Sequence, residues 1–356
     1  MNNKYMRSFF ILLTVFNLHH CFGQNNLTFY PASDSNIQYT GRIDFTNPAL
    51  PRFWQPGVYI DAKFSGSTCE VILNDEVLWG KNQNYIEVVI DDSAMRLQTT
   101  KKCDTIVVRG LKDGIHKISI VKNTEANIGY LEFVGIRCNQ LLTPDDKPTR
   151  KIEFYGNSIT CGASADASAI PCGKGVWQDQ HNAYLSYGAV TARTLNAQYH
   201  LSSVSGIGLM HSCCNLDIII PKVYDKISMR NDTIHWDFNK YQPDLVTVCL
   251  GQNDGVQDSK IFLNNYVSFL KTLRTHYPHA TIICLSSPMA DETLRNFLHN
   301  ILDDVIKQFS RSGDKKIYSY FFDKQYIHGC DYHPDIKEHA EIASLLSDFI
   351  RKKMNW

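Results

Sequence analysis

Lys151-Ile152-Glu153-Phe154-Tyr155 is a short β-prone run, and it breaks at once into Gly156-Asn157-Ser158-Ile159-Thr160. That run and its break decide how the C-terminal part of the chain folds. A strand that ends in Gly-Asn-Ser and leads into a helix start is the first unit of a strand–helix alternation. Runs at 199–204, 245–250, 281–285 and 317–322 repeat the strand. Between them lie helical stripes. Leu294, Phe297, Leu298, Ile301, Leu302, Val305, Ile306 and Phe309 stand at 3–4 spacing, as do Leu263, Tyr266, Val267, Leu270 and Leu273. Ile336, Ala340, Ala343 and Ile350 mark a terminal helix. Five strands alternating with helices predict a doubly wound parallel sheet of five strands.

Upstream the pattern differs. Short β-rich runs at 58–60, 69–73, 85–90, 105–108, 116–121 and 128–134 follow one another without helical periodicity. Ser65-Gly66-Ser67 and Lys112-Asp113-Gly114 read as turns between them. This predicts an all-β sandwich or jelly roll over 24–145. The polar, Pro-bearing stretch 141–150, with Pro144 and Pro148, reads as a linker to a second domain over 150–356. A chain of 356 residues also favours two domains over one.

Residues 1–23 read as a signal peptide: Lys4 and Arg7, an apolar run from Phe9 to Phe16, then Cys21-Phe22-Gly23 before Gln24. The expectation is therefore a secreted or periplasmic protein. Cys21 could instead carry the lipid of a bacterial lipoprotein, but His19 and His20 occupy positions that favour small residues. No run is long enough to span a bilayer. Lys plus Arg equals Asp plus Glu, at 36 each, so charge points to neither nucleic acid nor an anionic membrane as a partner. The eleven cysteines fit neither a compact disulfide framework nor a zinc site. Cys161 and Cys172 flank one loop and are candidates for a bridge; Cys213-Cys214 is a vicinal pair.

Parallel sheets place their reactive groups at the carboxyl ends of the strands. Ser158 follows the first strand, Gly206 (in Ser205-Gly206-Ile207-Gly208) the second, Asn253 (in Gly251-Gln252-Asn253-Asp254) the third, and His333 precedes the last helix. Taken alone, Asn157 or Ser158 is a helix cap. Four such residues on one rim argue for chemistry instead. A serine hydroxyl is a weak nucleophile and needs a base; His333, with an ordinary pKa near ~6.5, supplies one at neutral pH. Attack on an ester carbonyl creates an oxyanion. The N–H groups of Ser158 and Gly206, and the Asn253 amide, are its candidate donors.

Those blocks resemble, in order and spacing, the four signature blocks of the SGNH (GDSL-type) hydrolases; Asn157 stands where many members carry Asp. Pro56-Gly57-Val58-Tyr59, Phe64-Ser65-Gly66-Ser67 and Lys122-Asn123-Thr124-Glu125 resemble parts of the β-domain of carbohydrate esterase family 2. The resemblance implies a metal-free, cofactor-free serine esterase that removes acetyl groups from polysaccharides such as xylan or mannan, with Ser158 and His333 as the catalytic pair and Gly206 and Asn253 completing the oxyanion hole. Many SGNH members carry Asp three residues before the His; here that position is Cys330, and Asp331 lies two before. Asp331 either orients the imidazole or leaves it to a backbone carbonyl.

Other residues carry weaker signals. Trp177 and Trp236 either stack on a sugar ring or pack their loops. Cys161 reads as a buried spectator, Asp254 as a loop brace, and His181, His211 and His328 as solvent or structural histidines rather than metal ligands. The rival readings are an SGNH esterase or lipase acting on another acyl ester, peptidoglycan O-acetyl included, and a catalytically inactive carbohydrate-binding protein.

Overall fold

The computed structural model describes residues 27–230 and 233–356; the signal-peptide reading and Cys21 lie outside them. Five strands form a parallel sheet: β1 (Arg150–Gly156), β2 (Ala197–Ser203), β3 (Leu245–Cys249), β4 (Thr281–Leu285) and β5 (Ile317–Tyr320). Their order is β2-β1-β3-β4-β5, the flavodoxin-like arrangement. It reverses between β1 and its neighbours, which opens a crevice at the carboxyl ends of β1, β2 and β3.

Both faces of this sheet are covered, and β3 and β4 accordingly carry apolar residues on both sides rather than on one. Val246, Val248, Ile282 and Cys284 face one core with Phe262, Tyr266 and Leu270 of α3 (Ser259–His276) and Leu298 and Leu302 of α4 (Glu292–Arg311). Leu245, Ile283 and Leu285, one residue out of phase, face the other core. There they meet Ala189 and Ala192 of α2 (Tyr187–Thr194) and Ile342 and Leu346 of α5 (Ile336–Met354). Each long helix starts on an aspartate. Asp258 accepts the Ile261 N–H, Asp291 that of Leu294, and Asp335 forms a capping box with Glu338. Among the described residues no helix is long and apolar enough to cross a membrane.

The N-terminal strands join in one antiparallel network around a separate apolar core that includes Ile60, Phe64, Val71, Val88, Ile120 and Phe133. Its spine is a single strand, Tyr59–Asp75. Here the sequence reading needs correction: 58–60 and 69–73 are not two strands parted by a turn. Ser65-Gly66-Ser67 lies inside the strand, where the pairing changes partner from Ile115–Lys122 to Cys103–Val108. Gly66 has φ +117, and a Cβ there would stand 2.7 Å from the Asn139 amide, so glycine serves a bend within a strand rather than a turn between two.

The two units are bolted together by Arg42. Its guanidinium is 1% exposed, pairs with Glu153 of β1 at 2.6 Å, and donates to the carbonyl of Lys226 and the hydroxyl of Tyr155. The stretch after Leu142 is tied back as well: Asp145 pairs with Lys63 and Lys117, and the Lys147 ammonium donates to the Tyr39 carbonyl.

Candidate active site

The break after β1 is tight by construction. Gly156 passes so close to Thr160 that a Cβ would stand 2.0 Å from its hydroxyl. Asn157 then caps α1 (Ser158–Cys161), its side chain accepting the Ile159 N–H at 3.1 Å. The capping reading thus belongs to Asn157, and Ser158 is left as the first residue of the turn. Its own N–H faces outward, as the first amides of any helix do.

His333 arrives from 175 residues further along the chain and places Nε2 2.8 Å from Ser158 Oγ. Its Nδ1 stands 2.9 Å from the backbone carbonyl of Asp331. A carbonyl can only accept, so Nδ1 carries the proton and Nε2 of the neutral ring is the acceptor for the serine hydroxyl. Burial pushes the imidazole below its ordinary pKa, opposed by the hydrogen bond to Asp331, so the ring is neutral at neutral pH. The structure therefore moves the part of Asp331 that meets the imidazole from its carboxylate to its main chain. The reason is local geometry: Asp331 and Tyr332 both take left-handed backbone, φ 49 and 58, which turns the carbonyl under the ring. Cys330 anchors this turn, through a disulfide to Cys172 and an N–H to the Ser164 carbonyl. The bridge is thus Cys172–Cys330 rather than Cys161–Cys172. Cys161 stays a buried free thiol 3.2 Å from Ser203 Oγ.

Gly206 has φ +80, backbone that favours glycine, and a Cβ there would stand 3.3 Å from Cys213 Sγ. Asn253 Nδ2 donates one hydrogen to the Ile207 carbonyl at 2.8 Å, which leaves its second hydrogen for a ligand. Asp254 accepts the N–H groups of Leu209, Met210 and His211 and so braces the same loop. Ser158, Gly206, Asn253 and His333 line one cleft of about 400 Å³, with Trp177, Glu125, Gln252, Met289 and the Cys213–Cys214 disulfide around them. A slightly larger groove of about 420 Å³, lined by Asp61, Asp91, Ser119 and Arg193, pairs the Ser119 hydroxyl with the Asp61 carboxylate but has no histidine in its lining and lies away from the carboxyl ends of β1 and β3. The chemistry of the side chains, not the size of the hollow, selects the smaller one.

The two tryptophans part company. Trp177 is 38% exposed, and its ring centroid lies 5.9 Å from that of His333. Trp236 is 7% exposed and packs with Trp54, Ala126 and Tyr241, away from the cleft; it is corrected from sugar-stacking candidate to core residue. Arg42, which bridges the units, lies over its ring, and that contact requires the indole inside. His181 is buried beneath Trp177, whereas His328 is tied to Glu338. Among the described residues no three His, Cys, Asp or Glu side chains are grouped to hold a metal ion. Glu125 enters the sequence reading only inside a β-domain block. Nothing in that block says that its side chain reaches the serine's cleft, because the signal is a contact between units.

A serine–histidine pair on the rim of such a sheet defines the class as a carboxylic ester hydrolase. Residues 39–148 match the carbohydrate esterase 2 N-terminal family, and residues 154–320 the GDSL-like lipase/acylhydrolase family. A solved family two carbohydrate esterase from Clostridium thermocellum, in complex with cellohexaose, superposes with a TM-score of 0.83 at 30% identity. That match covers 90% of this chain and 99% of the other. An acetylxylan esterase / glucomannan deacetylase of Cellvibrio japonicus is 28% identical over 91% of both chains. Cellulase/esterase CelE of Acetivibrio thermocellus is 31% identical over 90% of this chain, which spans 40% of that longer relative. The chain belongs to carbohydrate esterase family 2.

Proposed function

We propose that the chain removes O-acetyl groups from polysaccharide of the xylan or mannan type through an acetyl-enzyme intermediate. The observation that carries the reading is the 2.8 Å contact between Ser158 Oγ and His333 Nε2, in a cleft that Gly206 and Asn253 also line. Ser158 Oγ attacks the acetyl carbonyl as its proton passes to His333 Nε2. The oxyanion is received by the N–H groups of Ser158 and Gly206 and the free hydrogen of Asn253 Nδ2. Collapse breaks the bond to the sugar oxygen, which leaves with the proton from His333. Water, deprotonated by the same imidazole, then releases acetate. The carbonyl of Asp331 keeps the ring in the required tautomer, so the pair works as a dyad.

Trp177, half open beside His333, is placed to stack on the sugar that carries the acetyl group. The names of the relatives, acetylxylan esterase / glucomannan deacetylase among them, support the substrate class. The disulfides support work in an oxidising compartment, in line with the export-like order of residues 1–23. The antiparallel unit shapes one wall of the cleft rather than acting as a free binding module, since Arg42 fixes it to β1.

The test is acetate release from acetylated xylan, glucomannan and peptidoglycan by wild type and Ser158→Ala. Release from xylan or glucomannan that vanishes in the variant supports the reading. Equal background rates for both proteins point to a binding protein. A strong preference for octanoyl over acetyl p-nitrophenyl esters removes the carbohydrate assignment.

A further inference from the structure

We propose that Glu125, a residue of the antiparallel unit, is a positioning residue for the oxyanion-binding loop of the parallel unit. The inference rests on the reading of Ser158 and Gly206 given above. Glu125 follows the Ile115–Lys122 strand and is 1% exposed, yet it lines the cleft that holds Ser158. Its Oε2 accepts the Ser205 N–H at 2.5 Å. Ser205 immediately precedes Gly206, so the peptide plane held at the Ser205 N–H is separated from the plane that carries the Gly206 N–H only by the φ and ψ of Ser205, and holding the first restricts the second. A charge-assisted hydrogen bond is stronger and more directional than a neutral one, which suits it to holding a loop.

The segment that carries Glu125 is itself immobilised. The Lys122 ammonium donates to the carbonyls of Thr124 and Glu125, and Asn123 accepts the N–H groups of Ala183 and Tyr184. The carboxylate thus stands on a rigid mount, docked against the catalytic unit on two sides. Its other neighbours are looser. The Cys161 thiol lies 3.7 Å from Oε2, and His181 Nε2 lies 3.8 Å from Oε1. Among the described residues neither Oε1 nor the His181 ring nitrogens have a hydrogen-bond partner. The tie to the Ser205 amide is therefore the short, direct one, and a buried carboxylate is retained for it despite the cost of desolvation.

A negative charge beside a developing oxyanion opposes the reaction, so what Glu125 contributes is an acceptor in a fixed place and not a field. That distinction makes the proposal sharp. Glu125→Gln keeps an acceptor within reach of the Ser205 N–H; Glu125→Ala removes it. Glu125→Asp withdraws it by one methylene.

The experiment measures kcat and KM with p-nitrophenyl acetate, a small ester that extends into no sugar subsite, together with inhibition by phenylboronic acid, whose tetrahedral adduct uses the oxyanion donors. For Glu125→Ala, kcat falls by about 30-fold or more, KM stays within about threefold, and boronate inhibition weakens in parallel. Glu125→Gln stays within about fivefold of wild type. If Glu125→Ala does not fold by thermal melting, Glu125→Asp carries the test with a loss of about fivefold or more at unchanged KM. Three results overturn the proposal. One is a folded Glu125→Ala or, failing that, a folded Glu125→Asp, with wild-type kcat; another is Glu125→Gln no better than Glu125→Ala. The third is a loss seen with acetylated polysaccharide but not with the aryl ester, which marks a substrate contact. Ser158→Ala is run alongside: if it retains wild-type activity, the reading of the site itself fails, whatever Glu125 does.

Discussion

Asn253→Ala tests the oxyanion reading most directly. The Asn253 amide nitrogen carries two hydrogens, and the Ile207 carbonyl, at 2.8 Å, takes one. The other is the only side-chain donor assigned to the oxyanion, beside the N–H groups of Ser158 and Gly206. Losing one such donor costs about 2.7–4 kcal/mol of transition-state stabilisation, or about 10²–10³-fold in kcat. The same substitution frees the Ile207 carbonyl, next to Gly206, from its tether, which pushes the loss toward the upper end. KM changes little, because the donor meets the tetrahedral oxygen more fully than the ground-state carbonyl. Asn253→Asp is at least as damaging: its carboxylate faces both the Ile207 carbonyl and the oxyanion with no hydrogen to offer. The assay is steady-state hydrolysis of p-nitrophenyl acetate, with thermal melts to show that each variant is folded. A folded Asn253→Ala within about threefold of wild-type kcat would refute the assignment of the third donor.

Four further outcomes follow from the geometry. The reaction needs neutral His333, and burial lowers its pKa, so activity is lost on the acid side with a midpoint below about 6.5, found from kcat/KM against pH. Asp331→Asn, which tolerates the left-handed backbone, keeps kcat within about threefold, because the carbonyl and not the carboxylate meets the ring; a loss of about 10³-fold or more would restore the triad. Cys172→Ala/Cys330→Ala opens a loop with a sequence separation of 158 and lowers unfolding free energy in urea by about 2–5 kcal/mol; a change under about 1 kcal/mol would show that the turn holds without its bridge. Arg42→Ala leaves Glu153 charged and buried, at a cost of about 3–5 kcal/mol in the same measurement, whereas breaking an exposed pair such as Lys307–Asp304 leaves the unfolding curve unchanged.

The parallel sheet is legible because its signals are local. An apolar run of strand length, a 3–4 stripe and an aspartate before each long helix are decided by residues within a few positions of one another. The rim residues follow from the same pattern, since the architecture fixes where strand ends lie. The N-terminal unit is legible only as β-rich. Gly66 has the same composition in a turn as in a bend within a strand, and only the partners on either side of Tyr59–Asp75 tell them apart. Trp236 misleads for a related reason: a tryptophan after a strand is consistent with a sugar platform or a core, and the choice is made by Arg42, far away in sequence.

By itself, then, the sequence determined the order of strands and long helices in the parallel unit, and the residue types available at the ends of β1, β2 and β3 and before α5. The tertiary structure alone decided what those residues meet. It set the imidazole on a backbone carbonyl instead of a carboxylate and joined Cys330 to Cys172. It also delivered Glu125 from the other unit to the amide beside Gly206. The physical reason is range. Backbone preference and periodicity act between near neighbours in the chain, whereas hydrogen bonds, bridges and burial depend on which distant segments the packed cores bring within a few ångströms.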